Sequence, residues 1–315
     1  MGLTSIEWAT HTANFQAGCS KVSPACANCY ALTLSVRMAN MGGPARYSGA
    51  TNGDLRRPAW TGKITADLPA LHRIFQGLRG ARKPRRVFLN SMTDTFHKDA
   101  PPDALDALAE EIKATTNNTH VTHQLLLLTK RPEGLLSWQQ AHFPAGLPAW
   151  VWCGVTVEDQ RRADERVPVL LKVQAAVRYL SMEPLLGPVD LTFTYEGVTR
   201  INALTGNAEG PKIHWVIAGG ESGTGARPSH PGWYRSLRDQ CQATGVPFLF
   251  KQWGAWGYPD RREDCGAEVI GMYANGHHEP RADLSCAWGD VEMLSRVGKK
   301  KAGRVLDGRT WDEVP

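Results

Sequence analysis

The 315 residues carry 36 Lys and Arg against 31 Asp and Glu, a net charge of +5, with 42% hydrophobic and 21% charged residues. That composition excludes a low-complexity or disordered chain and describes a globular protein with a sizeable core. No apolar run approaches the length of a membrane span, and the first thirty residues lack a basic flank followed by an apolar core. The expectation is a cytoplasmic protein with no membrane partner.

The first informative stretch is "GCSKVSPACANCY", which sets Cys19, Cys26 and Cys29 in a C-x6-C-x2-C pattern. Ser23 followed by Pro24 predicts a helix start, the serine as cap and the proline in the first turn. That helix is expected to run to Gly42, with Ala31, Leu34, Met38 and Met41 on adjoining faces. Cys26 and Cys29 then share one side of its first turn, and Cys19 reaches over from the preceding loop. In a reducing compartment, clustered thiols point to metal or catalytic use rather than disulfides. Three thiolates suit three irons of a [4Fe–4S] cluster, leaving one iron without a protein ligand. A zinc site completed by His11 or another ligand is a competing reading, and three unligated thiols are another.

Residues 42–62 read as a Gly-rich irregular insertion, and "RGARKPRR" (79–86) as a basic run with five positive charges. Strand-like runs followed by helical patterns then alternate: "RVFLNSMTD", a helix at 103–115, "HQLLLLTKRPE", "WVWCGVTVED", a helix to about residue 167, "VRYLSMEP", "HWVIAGGES", a helix stopping at Gly245, and "VPFLFKQWG". Continuous apolar strands alternating with helices predict an α/β fold, a parallel sheet of about six strands covered by helices. Polar residues follow most of these strands, which places them at the carboxyl end of the sheet, where such folds build their sites. The expected organisation is a barrel over residues 1–254 and a loop-rich carboxy-terminal appendage over 255–315. A second basic run, "RVGKKKAGR" (296–304), lies in that appendage. Both runs are compatible with a nucleic-acid partner, although such runs are more often solvated faces.

"SIEWATHTANFQAGCSKVSPACANCYA" resembles the opening of a phage- and bacteria-borne family of three-cysteine-motif proteins related to the radical S-adenosylmethionine enzymes. The likeness continues through "FLNSMTDTFH", "LLTKRPE", "GVTVEDQRRADERV", "LSMEPLLGPVDL", "VIAGGESGTGARPSHPGW", "FKQWG" and "VGKKKAGRVLDG", in the same order. The resemblance implies a radical-S-adenosylmethionine-like partial (β/α) barrel of about six parallel strands, with a [4Fe–4S] cluster on Cys19, Cys26 and Cys29 and S-adenosylmethionine on its open iron. It implies a 5′-deoxyadenosyl radical that abstracts hydrogen from a substrate, with a nucleotide or nucleic-acid base the first substrate expected. A flavodoxin- or ferredoxin-like electron donor and a partner protein are implied as well. Most enzymes of that class space their cysteines C-x3-C-x2-C with an aromatic residue before the last. Here the first gap is six, and Tyr30 follows the last cysteine.

Carried onto this chain, the cofactor contacts fall on Tyr30, Asn90, Ser91, Asp94, Arg131, Thr156, Glu158 and Ser181. Lys130, Glu183 and Glu221 are the expected catalytic positions. Each has a plainer reading. Asn90 and Asp94 are placed to cap the turn after a strand, and Glu158 to cap the following helix. Cys153 and Cys241 are read as core. Cys265, His277, His278 and Cys286 are the candidates for a second metal site. The rival function is a non-catalytic nucleic-acid- or partner-binding module whose metal or cluster is structural. A barrel hydrolase with an accidental thiol cluster is a third.

Overall fold

The computed structural model describes residues 1–52, 55–118, 121–195, 198–206, 210–258, 268–280 and 291–315. The chain is a mixed α/β protein whose main sheet is mostly parallel. Its contacts divide it into two units, one of residues 1–155 and 169–178, the other of 156–168 and 179–315. This differs from a division at residue 254.

In the first unit the strand order is Gly2–Leu3, His11–Ala13, Arg86–Leu89, Gln124–Thr129, Val151–Thr156. Gly2–Leu3 is antiparallel to its neighbour; the other pairings are parallel. Val87, Leu89, Leu125, Leu126, Leu127, Val151 and Cys153 are fully buried, as continuous apolar strands of a parallel sheet require. The helix expected at 103–115 is Pro102–Asn118, buried along Ala104, Leu108 and Ile112.

In the second unit Val177–Met182, Trp215–Gly219 and Phe248–Gln252 are neighbours in that order, all parallel. Helix Pro231–Thr244 buries Trp233, Leu237 and Cys241 and stops at Gly245. All six expected strands are present, joined by His11–Ala13 as a further parallel one.

Two expectations are corrected. The region after residue 254 is not merely looped: Trp256–Gly257, Val291–Arg296, Val269–Tyr273 and His278–Pro280 form an antiparallel sheet. Nor does one helix run from Pro24. Pro24–Cys26 is a 3-10 turn, and the α-helix, Tyr30–Asn40, starts four residues later because Cys29 is extended at ψ 117°. Cys26 and Cys29 therefore do not share a first helical turn, and Ser23 makes no side-chain cap bond. Met38 and Met41 are exposed. Among the described residues no helix is long and apolar enough to cross a membrane.

Buried His123, just before strand Gln124–Thr129, joins the residue before strand Arg86–Leu89 to the end of helix Leu68–Arg79. Its Nδ1 accepts from the Arg85 N–H at 3.2 Å, so Nε2 carries the proton and donates to the Leu78 carbonyl at 3.1 Å. Burial holds its pKa below 6.5. As pH falls below about 6.5 the unfolded chain takes up a proton that the folded chain refuses, so stability drops on acidification. Urea midpoints measured between pH 7.5 and 5.5 are expected to fall more steeply in the native chain than in His123→Gln. Equal slopes would remove His123 from the acid response.

Candidate functional site

The cysteine loop of the first unit lies against the carboxyl ends of its parallel strands. Gly18 bridges to Thr93, just past strand Arg86–Leu89, and the Thr93 hydroxyl donates to the Gly18 carbonyl. Asp94 is the hub. Its Oδ1 accepts from the Thr129 hydroxyl at 2.6 Å, and its Oδ2 from the Lys130 N–H at 3.0 Å and the Arg131 guanidinium at 2.8 Å. Arg131 also donates to the Ser20 carbonyl and hydroxyl, both at 3.0 Å, and its Nη1 stands 4.0 Å from Cys19 Sγ. From the far side His97 accepts the Asp99 N–H at Nδ1, so its Nε2–H donates to Ser20 Oγ at 2.7 Å. Cys19 is thus seated on a cation held by a buried carboxylate. Burial, and next the Asp94 charge, push its thiol pKa up; Arg131 pulls it down, and the Cys29 charge adds to the rise.

Cys26 ends the 3-10 turn, with Ser23 Oγ 3.9 Å from its sulfur, and Cys29 caps helix Tyr30–Asn40. Tyr30, which is exposed, anchors that helix start by donating its hydroxyl to the Ser91 carbonyl at 2.7 Å. The donor chemistry of three thiols on one loop, a cation beside one and a helix start at another, fits a thiolate-bound metal or cluster. The side-chain placement does not yet enclose one: among the described residues no group of three or more His, Cys, Asp or Glu side chains is gathered to hold a metal ion.

The other expected contacts turn largely inward. Asn90, with a left-handed φ of 57° that asparagine tolerates, accepts from the Phe15 and Gln16 N–H groups. Its amide nitrogen donates to Gln16 Oε1 at 2.8 Å and Thr95 Oγ1 at 3.0 Å, so its side chain braces the strand end. Ser91 donates to Asn14 Oδ1 at 3.2 Å. Lys130 and Arg131 share the Asp94 cluster.

Thr156, Glu158, Ser181, Glu183 and Glu221 belong to the second unit. Glu158 is wholly buried and receives Arg166 Nη1 at 2.9 Å, a guanidinium that also donates to the Thr156 carbonyl at 2.7 Å. Ser181 is buried, and its carbonyl accepts the Val157 N–H. Glu183 is bound by Lys251 Nζ, at 2.7 and 2.9 Å, and by Gln252 Nε2 at 3.0 Å. Glu221 is bound by Arg227 through its backbone N–H, Nε and Nη2.

Sequence reading missed the Ser20–His97 support of Arg131, whose only signal was His97 within "NSMTDTFH". Trp253 and Trp256 are buried and donate to the Val305 and Ala226 carbonyls. His277 pairs with Glu279 and His278 approaches the Gly276 carbonyl, while Cys265 and Cys286 lie outside the described residues.

Fold and site together define a mixed α/β protein with a three-thiol loop packed on the carboxyl ends of parallel strands. The chain belongs to the DUF5131 family, described as proteins of unknown function, whose profile matches residues 3–315. No curated protein and no solved structure matches it.

Proposed function

We propose that the chain is a radical S-adenosylmethionine-type iron–sulfur enzyme on a partial (β/α) barrel, with Cys19, Cys26 and Cys29 holding a [4Fe–4S] cluster. The observation that carries this reading is the seating of the three-thiol loop, through Arg131 and Asp94, at the carboxyl ends of parallel strands. When bound on Cys19, Cys26 and Cys29, the cluster would supply the one electron that splits S-adenosylmethionine into methionine and a 5′-deoxyadenosyl radical. The chain's own part is to position: Asp94 fixes Arg131, Arg131 and His97 fix Ser20, and Cys19 is thereby set in place. Tyr30 ties the Cys29 end to Ser91. The substrate class is a nucleotide or nucleic-acid base, in a cytoplasmic setting with a flavodoxin- or ferredoxin-like electron donor.

A second reading, a non-catalytic protein whose metal or cluster is structural, is favoured by one observation. The carboxylates Asp94, Glu158, Glu183 and Glu221 are each closed on an internal cation rather than left open to a cofactor.

Anaerobic reconstitution separates the two. The expected result is a brown protein with about four irons that forms 5′-deoxyadenosine with dithionite and S-adenosylmethionine and loses both properties in Cys26→Ala. A colourless protein carrying zinc, or a brown one that forms no deoxyadenosine, gives the answer to the second reading.

A further inference from the structure

Helix Tyr30–Asn40 of the first unit buries one side, along Ala31, Leu32 and Val36. Its other side carries Tyr30, Arg37, Met38 and, at the cap, Met41, which a period of 3.6 gathers within about a third of the circumference. Tyr30 is 55% exposed, Met38 41% and Met41 83%. The Tyr30 ring is held by its bond to the Ser91 carbonyl, so a partner orders it at little cost. Val22 on the thiol loop and Leu55 are exposed as well. Five of the eleven exposed large apolar residues among the described residues thus lie within residues 22–55. Such residues scattered singly need no account, but a concentration of them marks an interaction surface.

The same stretch holds the chain's charge. Residues 18–66 contain Lys21, Arg37, Arg46, Arg56, Arg57 and Lys63 against one acid, Asp54, a net of +5 that equals the net charge of the whole chain. Arg46 is held by Asp67 at 3.2 Å, while Lys21, Arg37 and Lys63 are exposed. Lys21 stands between Cys19 and Cys26, and the Lys63 carbonyl lies beside Gly18. Cations around an apolar helix face are complementary to an acidic surface.

The composition and size of the face select its occupant. Tyrosine, methionine and arginine are the types enriched where proteins meet, and methionine adapts its shape to a partner. Nucleic acid asks for a track of cations with rings to stack on, and here one ring and two thioethers hold the centre. A second copy would set like charge against like. The helix face is about 16 Å long, which suits small transient interfaces such as electron-transfer encounters rather than a permanent assembly. It also begins beside Cys29, the residue that caps the helix.

We propose that the outer face of helix Tyr30–Asn40, with its basic surround, is the docking surface for an acidic electron-donor protein. The donor role rests on the iron–sulfur reading above.

The test is titration of the full chain, without cluster, with oxidised flavodoxin, an acidic one-electron carrier, followed by calorimetry and by peroxide footprinting with mass spectrometry. Saturable binding is expected, weakening as salt is raised past about 0.1 M, where the Debye length is about 10 Å. Met38 and Met41 are expected to be protected from sulfoxidation, while Met1, exposed beside Gly77, oxidises as before. Met38→Glu combined with Met41→Glu is expected to weaken binding roughly tenfold or more, by setting acid against acid. Should that variant fail to fold, the footprint on the native chain alone decides. Absence of saturable binding, binding that leaves both methionines open to peroxide, or a folded variant that binds as well as the native chain overturns the surface. Protection of the two methionines by a single-stranded oligonucleotide or by phosphatidylserine vesicles, and not by flavodoxin, overturns the protein as occupant. After reconstitution, the double variant is expected to lose deoxyadenosine formation driven by reduced flavodoxin and to keep that driven by dithionite, which needs no docking. If the native chain forms none with dithionite, the iron–sulfur reading and the donor role fall together, while the docking surface is judged by the titration and footprint.

Discussion

Arg166→Met is expected to destabilise the second unit by about 3–5 kcal/mol, a large share of the ~5–15 kcal/mol that holds a domain together. Glu158 is wholly buried, and its Oε2 has the Arg166 guanidinium at 2.9 Å; Arg162 Nε stands off at 4.0 Å. Removing Arg166 takes the guanidinium at 2.9 Å away from a carboxylate in the core, and removes a donor from the Thr156 carbonyl. The double variant Glu158→Leu with Arg166→Met is expected to recover most of the loss, because it removes the charge along with its partner. Urea unfolding of the two variants checks this. A single variant within about 0.5 kcal/mol of the native chain, the range of ordinary surface changes, would show that the pair holds nothing.

Gly18→Ala is the second large effect, and it falls on the thiol loop. Residue 18 has φ +96°, and a Cβ there would drive into the Lys63 carbonyl, with the carbonyl carbon at 3.0 Å. The backbone strain alone is about 1–3 kcal/mol, and Lys63 is backbone that cannot swing aside. Residue 18 must therefore move, carrying Cys19 away from Arg131 and Ser20. Alkylation of Cys19, followed by mass spectrometry, is expected to quicken roughly tenfold, the factor given by ~1.4 kcal/mol of weakened docking. Iron uptake on reconstitution is expected to fall with it. Unchanged labelling and an unchanged unfolding midpoint would mean that the loop is fixed by something other than this turn.

What the sequence made legible follows from the range of the interactions. Runs such as "LLLLT" and "VWCGVT" are apolar without alternation because both faces of a parallel strand are covered, so strands and helices could be read in order. The polar residues after them were equally readable as the sheet's carboxyl end. Their partners were not. Glu183 is expected as a catalytic position, and it is closed on Lys251, 68 residues away. Glu158 had its signal in plain view, with arginines four and eight residues on, yet as a strand-end carboxylate it invited a cofactor contact or a helix cap instead. The break after Cys26 turns on one extended residue, Cys29, which no propensity flags. For the three thiols, spacing told that they share a loop and not how they face one another.

Residues 311–313 have a consequence beyond their own packing. Phe248–Gln252 is the last strand of its sheet, and such a margin is a template on which another chain can add a strand. Here that margin is occupied. Phe250 donates its N–H to the Trp311 carbonyl, Leu249 pairs with Asp312, and the Phe248 N–H donates to Glu313 Oε2. Arg309 lies over the Trp311 ring at 3.5 Å. The segment works as a hem stitched along the sheet, and lifting it would turn a self-contained molecule into one that sticks to its own kind.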